Sequence, residues 1–192
     1  MIIYHKVNTI EKLREVPVED GIEMDVRWDS RIQDVIVSHD LVSSSEYLLS
    51  FKEWMKEYKQ SFLIVNVKDS QLEDKVIEIL KDYKIKWYFL DSQIPDIVRL
   101  SKQGYGKHFI SRVSRYEWFS SELIEATNRD YTWLDTFGES GIDMFKYFKK
   151  EKCYIIVSPE LHKKPENMEA MKSAVKVLPH YLVCTDFPEF WR

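Results

Sequence analysis

The sequence predicts an α/β fold, a compact (β/α)8 TIM barrel, and three observations lead there. Eight short runs rich in β-branched and aromatic residues recur through 192 residues. Most are followed by a stretch of helical periodicity, and a polar residue stands at the C-terminal end of nearly every run. The chain is short of the roughly 250 residues of a typical barrel, hence a compact one. No Gly-rich turn follows the first run, which argues against an open dinucleotide-binding sheet. One domain over residues 1–192 is expected.

In chain order the runs are residues 2–6, 21–27, 62–68, 86–90, 108–113, 131–136, 153–157 and 181–185. Residues 34–38 follow the second run so closely that they read as its extension or hairpin partner. Helical spacing falls on residues 9–14, 48–58, 71–82, 95–102, 118–127, 141–150 and 167–177. In the third of these, Leu72, Val76, Ile79 and Leu80 line one face and Glu73, Asp74, Lys75 and Glu78 the other, an amphipathic helix that packs on a sheet. Asp69 or Ser70 is placed to cap it. Thr9 and Ser120 stand at two further starts, followed by acidic residues where the helix dipole favours them.

With 28 basic against 32 acidic residues and a formal charge of −4, the chain lacks the clustered Lys and Arg that bind nucleic acid or coat an anionic membrane. No apolar run approaches the roughly 20 residues of a membrane-spanning helix. The N-terminus reaches His5 and Lys6 before a secretory stretch can form, so a cytoplasmic location is expected. Cys153 and Cys184 lie in apolar runs and read as small buried hydrophobes. Trp87, Tyr88 and Phe89 read as strand core, and Trp133 either fills the core or packs beneath a ligand.

Residues two apart on a strand share a face, and inward residues at the strand ends of a barrel converge on one mouth. Glu23 and Asp25 end the second run on one face, where two carboxylates repel unless a proton or a cation joins them. A hard divalent cation resolves that repulsion, and so does a salt bridge. His5 and His39 bring two imidazoles to the same end, the side chain best suited to exchange protons near neutrality. Asn66, Lys68, Asp91, Arg112, Asp135, Ser158, Glu160 and Asp186 continue round the rim. Lys68 and Arg112 either hold an anion such as a phosphate or close a ring of internal ion pairs. His162, Lys163 and Lys164 lie on the mouth side after the seventh run.

The ordered set His5, Glu23-x-Asp25, His39-Asp40, Lys68 and Thr185-Asp186-x-Pro188 resembles the PLC-like phosphodiesterase superfamily over the whole chain, and within it the glycerophosphodiester phosphodiesterases. The resemblance implies a PLC-like barrel in which Glu23 and Asp25 hold Mg²⁺ or Ca²⁺, with Asn66 at the place of the usual third, acidic ligand. It implies His5 and His39 as general acid and base on a phosphodiester. Lys68, Arg112, Asp91, Asp135, Glu160 and Asp186 are then expected to contact a small phosphodiester or phospholipid-like substrate. The opening His5-Lys6-Val7-Asn8 departs from the usual His-Arg-Gly and is closer to sphingomyelinase D-like and menorin-like members. Only residues 41–61 separate Asp40 from the third run, so the subdomain commonly inserted there is missing. Metal-assisted phosphodiester cleavage is the expected activity. The alternatives are a barrel that binds a phosphorylated ligand or a protein partner without turnover, and a cyclising phosphoryl transfer of sphingomyelinase D-like type.

Overall fold

The computed structural model describes residues 1–43, 47–117, 121–127, 130–139 and 153–192. Its strands are β1 (Ile2–Tyr4), β2 (Gly21–Asp29), β3 (Asp34–Val37), β4 (Phe62–Val67), β5 (Lys86–Leu90), β6 (Ser111–Ser114), β7 (Tyr131–Asp135), β8 (Cys153–Val157) and β9 (Tyr181–Thr185). The helices between and after them are α1 (Ile10–Glu15), α2 (Phe51–Glu57), α3 (Glu73–Leu80), α4 (Ile94–Lys102), α5 (Ser121–Ala126), α6 (Met168–Ala174) and α7 (Pro188–Trp191). The sheet runs β5-β4-β2-β1-β9-β8-β7-β6 with every neighbouring pair parallel. Its two edges meet at one bridge, Phe89 with Phe109, where the Ile110 amide donates to the Phe89 carbonyl at 3.0 Å. The result is a nearly closed eight-stranded parallel barrel of TIM type. β3 pairs antiparallel with the overhanging end of β2, Val26 opposite Val37 through Asp29 opposite Asp34, the hairpin that the sequence suggests.

Strand alternation sorts the residues into an interior and a helix-covered exterior. Ile3, Phe62, Ile64, Tyr88, Leu90, Ile110, Trp133, Ile155, Val157 and Cys184 fill the barrel. The outward partners Ile22, Met24, Val26, Leu63 and Val65 pack beneath Leu13, Trp54, Met55, Val76 and Leu80 of the helices. A second outer layer joins Leu134, Tyr154, Ile156 and Val183 to Met168, Met171 and Trp191. Trp133 is thus a core residue, and Trp87 and Phe89 lie outward while Tyr88 lies inward. Gly21 has no side chain because an added Cβ would stand 3.2 Å from Ile3 and 3.3 Å from Phe62. No helix among the described residues is long and apolar enough to cross a membrane.

Several local expectations need correction. β6 starts at Ser111 rather than 108, since residues 106–108 form a 3-10 turn. His108 leaves the strand to stack on Trp87, with ring centroids 3.6 Å apart, planes 8° apart and Nδ1 3.0 Å from the Trp87 carbonyl. Neither Asp69 nor Ser70 caps α3. Asp69 is taken instead by Arg27 at 2.7 Å and by the Trp28 amide at 2.8 Å. Glu73, placed by periodicity on the solvent face of α3, is only 1 % exposed, and Ile77 is more buried than Ile79. Thr9 does cap α1, accepting from the Lys12 amide. The predicted helix 141–150 and the cap Ser120 lie outside the described residues.

Candidate active site

β1 ends by delivering His5 inward, and the next residue, Lys6, takes a left-handed φ of 51°. That turn aims the Lys6 amide at Glu23 Oε2, 2.8 Å away. Asn8 then clamps Asp25 from both sides. Its Nδ2 donates to Asp25 Oδ2 at 2.7 Å, and its Oδ1 accepts from the Asp25 amide at 2.9 Å. Lys12, one turn into α1, donates back to the His5 carbonyl at 2.5 Å and stands 3.7 Å from Asp186 Oδ1. The same carboxylate oxygen lies 3.2 Å from His5 Nδ1, and Nε2 has no hydrogen-bond partner among the described residues.

Glu23 and Asp25 are 2 % and 1 % exposed, side by side on β2. Each has a different partner, one on β4 and one at the residue that follows it. Asn66 Nδ2 donates to Glu23 Oε1 at 3.0 Å, while Lys68 Nζ stands 3.1 Å from Asp25 Oδ1. Burial and the charge of Asp25 together push the Glu23 carboxyl above its ordinary range, against the pull of His5 and two hydrogen bonds. For His5 burial works against the charged form, yet the Asp186 hydrogen bond and the charges of Glu23 and Asp186 outweigh it and raise its pKa. Burial opposes the ionised form of Asp186 too, and His5 with Lys12 brings its pKa below the usual value.

Further round the rim the charges alternate. Arg112 reaches Asp91 at 3.2 Å and Glu117 at 2.9 Å, and burial holds the Asp91 carboxyl high despite Arg112 and Lys68. Asp135 accepts from the Phe137 amide at 2.8 Å and lies 2.8 Å from His162 Nε2. Glu160 takes the Thr185 hydroxyl at 2.5 Å, the Asp186 amide at 3.1 Å and the Ser158 hydroxyl, whose oxygen accepts from the Trp191 indole at 2.8 Å. Glu160 thus closes the ring back onto the His5–Asp186 pair.

The structure therefore brings His5, Glu23, Asp25, Asn66, Lys68 and Asp186 into one contact network, with Asp91, Arg112, Asp135 and Glu160 following round the mouth. His39 stands at its edge. Its Nδ1 pairs with Asp40 at 2.8 Å, its carbonyl accepts from Arg27 at 2.9 Å, and its side chain is 43 % exposed. Among the described residues no hydrogen bond or ion pair joins its ring to Glu23, Asp25 or His5. The Asp40 carboxyl is held below its usual range chiefly by its hydrogen bond to His39. Lys12 and Glu117 are network members that strand-end reasoning passes over, while Asn8 and Thr185 enter the sequence reading only within the opening and closing motifs of the resemblance. Asn8 carries a faint signal, an amide three residues after His5 in the loop leaving β1.

Comparison of the chain with family models, with curated proteins and with solved structures gives no match.

The donor chemistry of Glu23, Asp25 and Asn66 fits a hard divalent cation. All three offer oxygen, and Asn66 Oδ1 is buried with no hydrogen-bond partner among the described residues, an acceptor left open beside the carboxylate pair.

Proposed function

We propose that the mouth of this barrel is the active site of a PLC-like phosphodiesterase, of glycerophosphodiester phosphodiesterase type. The observation that carries this reading is the unequal buried pair Glu23–Asp25, flanked on one side by His5–Asp186 and on the other by the open oxygen of Asn66. A dication held by Glu23, Asp25 and Asn66 would neutralise phosphate charge and make a bound hydroxyl more acidic.

His39, oriented through Nδ1 by Asp40, presents Nε2 to accept the proton of the attacking hydroxyl as its oxygen bonds to phosphorus. His5, whose charged form Asp186 and Glu23 favour, presents Nε2 to protonate the leaving alkoxide as the other P–O bond breaks. Lys68 and Arg112 line the rim where negative charge builds in the transition state. When the attacking hydroxyl belongs to the substrate's own alcohol, a cyclic phosphate forms first, and its accumulation or hydrolysis separates transferase from hydrolase.

The test is turnover of a panel of glycerophosphodiesters, lysophospholipids and sugar-nucleotide diesters with Mg²⁺, Ca²⁺ or chelator. Metal-dependent release that His5→Asn and Glu23→Gln each lower at least about 100-fold supports the reading. A second reading has its own observation: Lys68 is paired to Asp25, and Arg112 to Asp91 and Glu117, so the ring neutralises itself. A barrel that binds a phosphorylated ligand without turnover would show binding by the wild type and no product from any substrate.

A further inference from the structure

Glu160 lies on the short turn 159–162 that leaves β8, and its carboxylate is occupied by its own chain. Oε1 accepts the Thr185 hydroxyl at 2.5 Å and the Asp186 amide at 3.1 Å, and Oε2 accepts the Ser158 hydroxyl. An ionised carboxylate offers about four lone-pair sites, so three donors leave little for a substrate. Ser158 and Thr185 are fully buried, at 0 % exposure. Each hydroxyl also accepts from a group that can only donate. The Phe187 amide reaches Thr185 Oγ1 at 2.9 Å, and the Trp191 indole reaches Ser158 Oγ at 2.8 Å. A backbone N–H and an indole N–H fix the two oxygens as acceptors, which leaves both hydroxyl protons for Glu160.

What these bonds hold is the end of β9. Residues 185–187 are tied to Glu160, Thr185 and Asp186 directly and Phe187 through the Thr185 hydroxyl. That segment meets His5 twice. The Thr185 carbonyl accepts from the His5 amide at 3.2 Å, and the Asp186 carboxylate lies 3.2 Å from His5 Nδ1. At the other end of the chain of bonds, Trp191 is buried in the outer layer with Ile156, Met168 and Met171. Hydrogen bonds therefore run from a packed side chain of α7 to the histidine at the mouth, and their branches meet in Glu160.

We propose that Glu160 is a positioning residue for the His5–Asp186 pair and not a substrate contact, with Trp191 as its anchor through Ser158. The kinetic consequence rests on the phosphodiesterase reading of the mouth; the positioning does not. Lost acceptors at position 160 free residues 185–187, and Asp186 then holds His5 Nδ1 over a wider range of orientations. Proton transfer slows while substrate affinity stays the same.

The experiment compares full-length wild type with Glu160→Gln, Glu160→Ala and Ser158→Ala. It reads amide hydrogen exchange at Asp186, the NMR signals of the His5 ring at constant pH, and kcat and KM on any diester turned over. Glu160→Ala should speed Asp186 exchange at least about tenfold, shift the ring signals and lower kcat about tenfold at a KM within about twofold of wild type. Glu160→Gln keeps an acceptor for Thr185 and Asp186 while losing the charge, so it should stay within about threefold of wild type throughout. Ser158→Ala, which cuts the anchor to Trp191 and spares Oε1, should fall between them, and it serves in place of Glu160→Ala if that variant does not fold. Asp186 exchange and His5 signals unchanged in Glu160→Ala, or in Ser158→Ala where it stands in, overturn the proposal. So does a KM raised about tenfold in Glu160→Gln with both NMR readouts unchanged, the mark of a charged contact to substrate. If wild type turns over no diester, the phosphodiesterase reading fails while the two NMR readouts still decide the role of Glu160.

Discussion

Asn66 donates its Nδ2 to Glu23 Oε1 at 3.0 Å while its own Oδ1, on the same buried amide, accepts from no donor among the described residues. A single side chain thus spends its donor on a carboxylate and keeps its acceptor in reserve. Asn66→Asp turns that reserve into a second charged ligand, two residues before Lys68 on the same face. With a cation bound, affinity for Mg²⁺ or Ca²⁺ should rise several-fold, about 1 kcal/mol or more, by calorimetry. An unchanged affinity would mean that the new carboxylate pairs with Lys68 and that position 66 does not face a metal.

Glu23 predicts a gain of stability on neutralisation. Its folded pKa lies above the ordinary glutamate value through burial and the charge of Asp25. Such a group contributes stability that is present below the unfolded pKa of about 4.3 and is lost as pH rises through the folded pKa. Glu23→Gln should therefore stabilise metal-free protein at pH 7 by about 1 kcal/mol, the advantage fading toward pH 4. The new amide is accommodated if Asn66 turns over and offers Oδ1 to it. Chemical denaturation in chelator at both pH values decides it; a less stable variant at pH 7 would make Glu23 a structural ion.

His5 and Asp186 move in opposite senses, as an ion pair should. Burial alone would depress the imidazole, so its raised pKa depends on Asp186 and Glu23. Stability from the charged His5 is complete below about pH 6.5 and is lost as pH rises through the raised folded value. Asp186→Asn should bring the His5 titration down, followed by NMR of the ring protons, and should move the alkaline-limb midpoint of any activity profile down with it, since His5 acts in its protonated form. A titration that stays high after Asp186→Asn would place the cause on Glu23 alone.

Gly106 predicts the most damaging single methyl group. A Cβ there would lie 2.2 Å from the Ala126 carbonyl oxygen, a backbone atom that already accepts from Ser101 Oγ at 2.9 Å. Gly106→Ala should lower stability by about 2 kcal/mol or more, since backbone and not a flexible side chain must yield. Gly104→Ala, where nothing lies within 4 Å but φ is 92°, should cost only about 1 kcal/mol. Equal losses in the two variants would show that Ala126 can retreat.

Much of this architecture was readable from alternation. On β2 and β4 the inward and outward series are chemically distinct, so Glu23, Asp25, Asn66 and Lys68 had to share a face once the strands were recognised. His108 was not readable, because its apolar neighbours continue a strand pattern while its ring is held by a stack on Trp87 formed across the sheet. Glu73 was misplaced for the opposite reason. Periodicity assigns a charged residue to solvent, whereas Glu73 is buried beside Ser92 and Asp96 of the next βα unit. The pairing of Asp135 with His162 joins residues 27 positions apart, beyond the reach of any local rule.

The uneven closure of the barrel has a consequence for assembly. β1 and β9 are held by three registered pairs, Ile2 with Val183, Ile3 with Cys184 and Tyr4 with Thr185, whereas among the described residues β5 meets the segment leading into β6 at one bridge, Phe89 with Phe109. The polypeptide is thus continuous across the joint with the fewest backbone pairs, whereas β1 and β9, far apart in sequence, are joined by a ladder. Strands β1–β5 and β6–β9 form two half-cylinders of consecutive chain, and β1 cannot complete its pairing until β9 has been made. Two fragments made by severing the chain at Gly104 would carry complementary edges, and recombination of such halves would be steered by β1 and β9.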